Sequence, residues 1–380
     1  MRHLRGTCTA LLLAPIASCG RDATVPPVAP PFAAATTAAF FPLDVFGIGA
    51  KVPGSHGCNA PQYRQFDFWL GKWDVFNPAN ALVGTNVVES ELGGCAVEEN
   101  WTSAFNGRGR SLNAFDASTG TWSQFWVSTG GCPFGTTLIE GGLENGSMTM
   151  SGRREQPLGF LSGPPCAPLP NVVVFVRTDL IRWTALASGS VLQQLASSNN
   201  DAPLPPLPPP SSGLGLRYDP VAQVTQLSPP SPSFCPTRAA AQQFNFMLGT
   251  WDVHQGEGEG AQGTATFTKD LAGCLVEERF KGPGGYEGWS FNTFDVFTQA
   301  WTRTYVDADG QRLHMLGGLV NGAMVLTGTK RGSAGRSVEV RITWDPRAAD
   351  RVVQTWDFSL DGGTTWKKPI LDQAIAPSPS

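Results

Sequence analysis

One block of ten residues occurs twice, and that recurrence constrains the fold more than any other feature of the chain. Phe66-Asp67-Phe68-Trp69-Leu70-Gly71-Lys72-Trp73-Asp74-Val75 returns as Phe244-Asn245-Phe246-Met247-Leu248-Gly249-Thr250-Trp251-Asp252-Val253. Further matches follow in the same order. Gly94-Cys95-Ala96-Val97-Glu98-Glu99 answers to Gly273-Cys274-Leu275-Val276-Glu277-Glu278, and Ser111-Leu112-Asn113-Ala114-Phe115-Asp116 to Ser290-Phe291-Asn292-Thr293-Phe294-Asp295. Trp122 answers to Trp301, and Gly141-Gly142-Leu143 to Gly317-Gly318-Leu319. The offset from Cys95 to Cys274 is 179 residues. A period this long means tandem domains, because solenoid repeats are several times shorter. A chain of 380 residues has room for two.

Between these blocks the pattern is that of short strands. Ser123–Thr129, Leu138–Gly142, Ser147–Gly152, Asn171–Arg177 and Val191–Ala196 are separated by Gly, Asn-Gly or Pro signals. Copy two continues with Gln262–Lys269, Cys274–Lys281, Gly288–Phe294, Trp301–Asp307, Arg312–Gly317, Met324–Lys330, Ser337–Trp344 and Arg351–Leu360. Asn145-Gly146 and Asn321-Gly322 predict type I′ hairpin turns, since both residue types tolerate positive φ. A helical turn is expected before each Gly-x-Trp, over Gln62–Leu70 and Arg238–Leu248. The 44 Gly and 31 Pro suit many tight turns and Pro-rich linkers. Two Pro-rich runs, Pro203–Pro210 and Pro229–Pro236, flank the end of copy one and read as boundary and linker. Closed antiparallel barrels fit this pattern, with a β-sandwich as the alternative.

The N-terminus reads as a processing signal. Arg2, His3 and Arg5 precede the apolar Leu11-Leu12-Leu13-Ala14, a run too short to span a bilayer. Ile16-Ala17-Ser18-Cys19 resembles the lipobox of bacterial lipoproteins, which implies lipidation at Cys19 and an exported protein held at a membrane of the periplasm or cell envelope. Ordinary signal cleavage nearby, with Cys19 incidental, is the alternative. The expected organisation is a signal peptide over 1–19, a flexible tether over 20–57, one barrel over 58–228, a linker over 229–236, a second barrel over 237–374 and a tail over 375–380.

Beyond Cys8 and Cys19 six cysteines remain, an even number that argues for disulfides in an exported protein. Cys58 and Cys235 lie shortly before the two matched blocks, and Cys95 and Cys274 are equivalent. The economical pairing is therefore Cys58–Cys95 and Cys235–Cys274. Cys132 and Cys166 lack counterparts and are expected to pair within copy one. Free buried thiols are the alternative for all six.

The Gly71-Lys72-Trp73 and Gly249-Thr250-Trp251 motifs, each after a helical turn and opening a strand, resemble the signature of lipocalins and the wider calycin superfamily. The longer series of Gly-Cys, Glu-Glu, Ser-x-Asn-x-Phe-Asp and a Trp-bearing strand is similar to that of exported bacterial proteins with lipocalin-like barrels. The resemblance implies an all-β chain: two tandem antiparallel lipocalin-like barrels, each preceded by a short helical turn, with ligands held in the cups. It transfers no enzymatic activity. Ser359-Leu360-Asp361-Gly362-Gly363-Thr364-Thr365-Trp366 resembles the Asp-box of sialidases, a structural hairpin remote from catalysis.

Alternate strand residues share a face. Glu99, Ser111, Asn113, Gln124 and Trp126 are thereby expected to line one cup, and Glu278, Ser290, Asn292, Arg303 and Tyr305 the other. Mixed aromatic and hydrogen-bonding faces suit a site for a small, partly apolar ligand. The competing reading is that Ser and Asn bond internally and aromatic residues fill a closed core, leaving an envelope structural or protein-interaction module. Adjacent glutamates (Glu98-Glu99, Glu277-Glu278) point to opposite faces, so neither pair can act as one acid/base couple. No nucleophile elbow or zinc spacing occurs, and no catalytic residue, metal site or cofactor is assigned. His314, on a strand, is the one candidate for a haem ligand, against a hydrogen-bonded or surface histidine. A net charge of −4 with no basic block gives no reason to expect nucleic acid.

Overall fold

The computed structural model describes residues 58–105, 107–129, 136–157, 174–228, 235, 238–254, 260–331, 337–367 and 372–377. The expected signal peptide, Cys19, the tether, Cys132 and Cys166 lie outside these residues. The first barrel comprises β1 (Gly71–Phe76), β2 (Leu82–Glu91), β3 (Ala96–Ser103), β4 (Arg108–Asp116), β5 (Thr121–Ser128), β6 (Thr137–Glu144), β7 (Ser147–Pro157), β8 (Val174–Ala185), β9 (Val191–Asn199) and β10 (Leu216–Pro220). The second comprises β11 (Gly249–His254), β12 (Ala261–Asp270), β13 (Leu275–Lys281), β14 (Glu287–Asp295), β15 (Ala300–Asp307), β16 (Arg312–Val320), β17 (Ala323–Arg331), β18 (Ser337–Ala348), β19 (Arg351–Ser359) and β20 (Asp372–Pro377). Each is a closed ten-stranded antiparallel meander in which the last strand pairs with the first. Closure removes the exposed edges that an open sheet would carry.

The duplicated block acts at the start of each barrel. Two 3-10 turns, Pro61–Arg64 and Asp67–Trp69, precede β1, and Ala240–Gln242 and Asn245–Met247 precede β11. The Trp73 indole N–H donates to the Trp69 carbonyl at 3.0 Å, and that of Trp251 to Met247 at 2.6 Å. Each indole thus hooks the turn to the strand and closes one end of the barrel. Gly71 adopts φ +142°, which is why glycine stands two residues before the tryptophan. Phe66 and Phe244, fully buried, fill the ends, packing edge-on against Trp122 and Trp183 in one copy and Trp301 and Trp344 in the other. The Asn-Gly turns have positive φ at both residues, as a type I′ hairpin requires.

Two disulfides, Cys58–Cys95 and Cys235–Cys274, tie the leading segments to the barrel walls. Their separations of 37 and 39 residues correspond to about 4 kcal/mol each in the chain-entropy account. The Asp361 carboxylate accepts from the Thr365 N–H at 2.8 Å and the Ser359 hydroxyl at 2.6 Å, and Trp366 lies under Arg341. The Asp-box pattern is here a turn after β19.

Several boundaries differ from the expected ones, β7 running on to Pro157, β9 to Asn199 and β18 to Ala348 among them. β8 runs on to Ala185 because Asp179, Ile181 and Trp183 continue the inward alternation past Arg177. β20 extends past residue 374 to Pro377. Pro203–Pro210 is not a boundary: it lies between β9 and β10, where the Pro208 carbonyl accepts from Arg182 and from Gln194 Nε2. Prolines are tolerated there because the segment contributes acceptors and no ladder N–H groups.

The barrels pack through the outer faces of β3–β5 and β13–β15. Leu112, Ala114, Phe125 and Val127 join Leu275, Trp289, Phe291 and Val306 in one buried cluster. Charges cross the same interface. Arg110 pairs with Glu98 of its own barrel and with Glu277 (2.6 Å) and Asp270 (2.9 Å) of the other. Arg279 pairs with Glu277 (2.7 Å) and with Glu91 (2.7 Å) and Glu98 (3.7 Å) across the interface, and stacks on Trp289. Removing a buried cation from such a cluster strands its carboxylates. Arg110→Ala is expected to lower unfolding free energy by about 3 kcal/mol in urea titration. Arg153→Ala, at an exposed ion pair with Asp201, is expected to change little.

Candidate functional site

The strand register places all ten predicted cup residues on inner faces, and the two interiors differ. In barrel one Glu99 on β3 pairs with Ser111 on β4, which pairs with Trp126 on β5. The Glu99 carboxylate accepts from Asn86 Nδ2 at 2.9 Å and from the Ser111 hydroxyl at 2.8 Å, with Gln124 Nε2 at 3.4 Å. Asn113 Nδ2 donates to the Ser111 hydroxyl and to the Val97 carbonyl, each at 2.9 Å. No cation pairs with Glu99 among the described residues. Burial drives its carboxyl up to about 7, outweighing the hydrogen bonds from Ser111 and Asn86.

A cavity of about 280 Å³ opens above this network. Glu99, Gln124 and Trp126 line it, whereas Ser111 and Asn113 lie fully buried beneath. Trp101, Tyr218, Ile181, Leu195 and Leu216 form apolar and aromatic walls. Arg154 and Arg177 line it from β7 and β8, where they share the Asp179 carboxylate at 3.3 and 2.7 Å. Burial lowers the Arg154 guanidinium pKa. Glycines make space for the indoles: a Cβ on Gly84 would fall inside the Trp101 ring, and one on Gly109 inside the Trp126 ring.

Sequence reasoning missed the walls from β7 to β10. The signal was present in Arg177-Thr178-Asp179-Leu180-Ile181, whose alternate residues face inward, but ending the strand at Arg177 hid it. Gln193 and Leu195, then Leu216 and Tyr218, show the same alternation on β9 and β10.

In barrel two side chains occupy the corresponding space. Arg303 stands where barrel one has Gln124. Its Nη1 meets Glu278 Oε2 at 2.6 Å and donates to the Ser290 hydroxyl at 2.6 Å and Asn292 Oδ1 at 3.0 Å. The guanidinium lies between the Tyr305 and Trp344 rings, at 5.3 and 5.2 Å. By strand register, Val338, Val340, Trp356 and Phe358 replace Arg177, Asp179, Leu195 and Ser197. All four are buried in one apolar cluster. Tyr286, Tyr305 and Asp307 form a further buried network, with the Tyr286 hydroxyl 2.8 Å from both partners. Glu278, Ser290, Asn292, Arg303 and Tyr305 therefore form the packing of a filled interior.

His314 faces out of its barrel. Thr304 Oγ1 sits 2.8 Å from its Nδ1, and its ring packs on Phe125 of the other barrel. Burial lowers its pKa to about 4, so it is a neutral interface residue outside the cup.

Because the Glu99 carboxyl lies above its ordinary value, the folded state holds this proton more tightly than the unfolded chain. Its contribution is full below pH 4.5 and declines as pH rises towards 7, by up to about 3 kcal/mol. His314 has the opposite sign and Asp307, raised by burial to about 6, the same sign, so the wild-type profile mixes several groups. The difference between wild type and Glu99→Gln isolates Glu99. In urea titrations the variant is expected to be level with the wild type below pH 4.5, to gain on it by up to that amount from pH 4.5 to 7, and to keep that advantage above.

No family model and no curated protein matches the chain. Among solved structures it is similar to a protein of unknown function of the DUF3598 family from Nostoc punctiforme. The identity is 13% and the TM-score 0.22, over 83% of this chain and 97% of that one.

Proposed function

We propose that the chain is an exported binding protein of the lipocalin-like type, tethered at a membrane, whose first barrel holds one small, partly apolar ligand. The observation that carries this reading is the contrast between two copies of one domain. Where barrel two is packed with Arg303, Trp356, Phe358 and two valines, barrel one keeps a cavity of about 280 Å³ with a buried carboxyl at its floor. That volume lies just below the usual range for small-molecule sites, about 300–1,000 Å³, and so favours a small ligand. Barrel two serves as its scaffold.

The two disulfides support export, since such bonds persist in oxidising compartments. The lipobox-like Ile16-Ala17-Ser18-Cys19 supports the lipid tether. Radiolabelled palmitate fed to bacteria expressing the full chain is expected to label the wild type and to leave Cys19→Ala unlabelled. Label on neither protein would sink the tether.

The cavity is tested by copying the filled barrel. Leu195→Trp sets at that position the residue that Trp356 supplies in barrel two. It is expected to fold and to lose at least tenfold in affinity for whatever small molecule native mass spectrometry finds on the purified wild type. Binding unchanged by this substitution would move the site elsewhere.

A further inference from the structure

The second barrel shows what the floor of the first one accepts. Glu278, Ser290 and Asn292 are equivalent to Glu99, Ser111 and Asn113, with the same internal hydrogen bonds: Ser290 donates to Glu278 at 2.8 Å, and Asn292 Nδ2 donates to Ser290 at 3.0 Å and to the Val276 carbonyl at 3.0 Å. In barrel two this triad has a cation, the Arg303 guanidinium, which neutralises Glu278 and satisfies Asn292 Oδ1. In barrel one the equivalent residue is the shorter, neutral Gln124. Among the described residues Glu99 then has no cation, and the buried acceptors Asn113 Oδ1 and Asn86 Oδ1 have no donor. A buried acceptor without a donor costs about 1–3 kcal/mol.

We propose that the ligand of barrel one is a small organic cation of the amidinium or guanidinium class. Its planar donor group takes, on Glu99 at the cavity floor, the place that Arg303 holds on Glu278, with Ser111 and Asn113 backing the carboxylate from beneath. This rests on the reading of the cavity as a binding site. The remaining walls agree with it. Trp126 stands where Tyr305 faces the Arg303 guanidinium, and Trp101 and Tyr218 add aromatic surface, which favours a cation with an apolar body. Arg154 and Arg177 are turned to Asp179, whose single charge offsets one of their two, and neither arginine pairs with Glu99 on the floor.

Three probes of one shape and different charge decide the matter: benzamidinium, benzamide and benzoate, titrated into the full-length protein with tryptophan fluorescence and native mass spectrometry as readouts. Benzamidinium is expected to bind, and the other two to bind at least about thirtyfold more weakly. Glu99→Gln is expected to remove that preference while retaining the fold, shown by an unchanged circular dichroism spectrum. Gln124→Arg rebuilds the barrel-two arrangement; it is expected to raise the melting temperature and abolish benzamidinium binding. Equal binding of all three probes, lost in Leu195→Trp, would overturn the cation and keep the cavity as an apolar site. Benzoate preferred, and lost in Arg154→Gln, would overturn it in favour of an anion at the arginines. Binding of none of the three, or a charge preference that survives Glu99→Gln, would also overturn it.

Discussion

A carboxylate inside a barrel must be neutralised, hydrogen-bonded or protonated, and much of this molecule follows from how two such carboxylates are treated. Glu99 and Glu278 descend from one position of a duplicated domain. Each sits at the centre of a Ser and Asn network that holds neighbouring strands in register. In barrel two the solution is internal: a guanidinium from β15 lies on the carboxylate, and aromatic rings cover the guanidinium. In barrel one no such cation is present among the described residues, and burial shifts the carboxyl towards protonation instead. The glutamine that replaces the arginine leaves open the space that becomes the cavity.

The residue preceding each of these glutamates does the opposite task. Because successive strand residues face opposite sides, Glu98 and Glu277 point outwards when Glu99 and Glu278 point in. The outward pair meets Arg110 and Arg279 between the barrels, so a single Glu-Glu dipeptide per copy connects interior to interface. This ties the duplication to the packing. Barrels joined through β3–β5 and β13–β15 bury the outer faces of the strands whose inner faces carry the triads, and so stiffen the wall on which the cavity floor is built. The walls contributed by β7 to β10 lie on strands outside this interface.

Much of this was legible in the sequence, for reasons that can be named. The repeat exposed the two disulfides because equivalent cysteines must occupy equivalent positions. Period-two alternation placed Glu99, Gln124 and Trp126 on an inner face. What alternation could not tell was whether an inward residue is covered by others. Ser111 and Asn113 face inward and still lie beneath the cavity, because Glu99 and Gln124 reach over them. The far wall was lost where polar residues interrupt the apolar pattern. Arg177 and Asp179 look like surface residues in sequence, and only the closure of the meander brings them opposite Trp126. The Pro-rich run misled for a similar reason: proline argues against a ladder strand, but says nothing against a loop whose carbonyls receive Arg182 and Gln194.

Divergence between the copies is concentrated where it changes the interior. The end-closing Gly-x-Trp, the cysteine bridge, the Asn-Gly turn and the Glu, Ser and Asn triad persist in both, and each serves folding or register. Around the cup, by contrast, Gln124 stands against Arg303, Arg177 against Val338, Asp179 against Val340, Leu195 against Trp356 and Ser197 against Phe358. Every one of these differences makes barrel two fuller or drier, and none touches the ends of the barrel. A pair of identical scaffolds requires no such asymmetry, since filling both would give the greater buried apolar area and the greater stability. A barrel that stays open, with a buried carboxyl and a shared pair of arginines on its walls, forgoes stability that its own twin shows to be attainable within the same fold. That cost falls on barrel one alone, at the residues lining the cavity, which is where a requirement to admit a ligand would act.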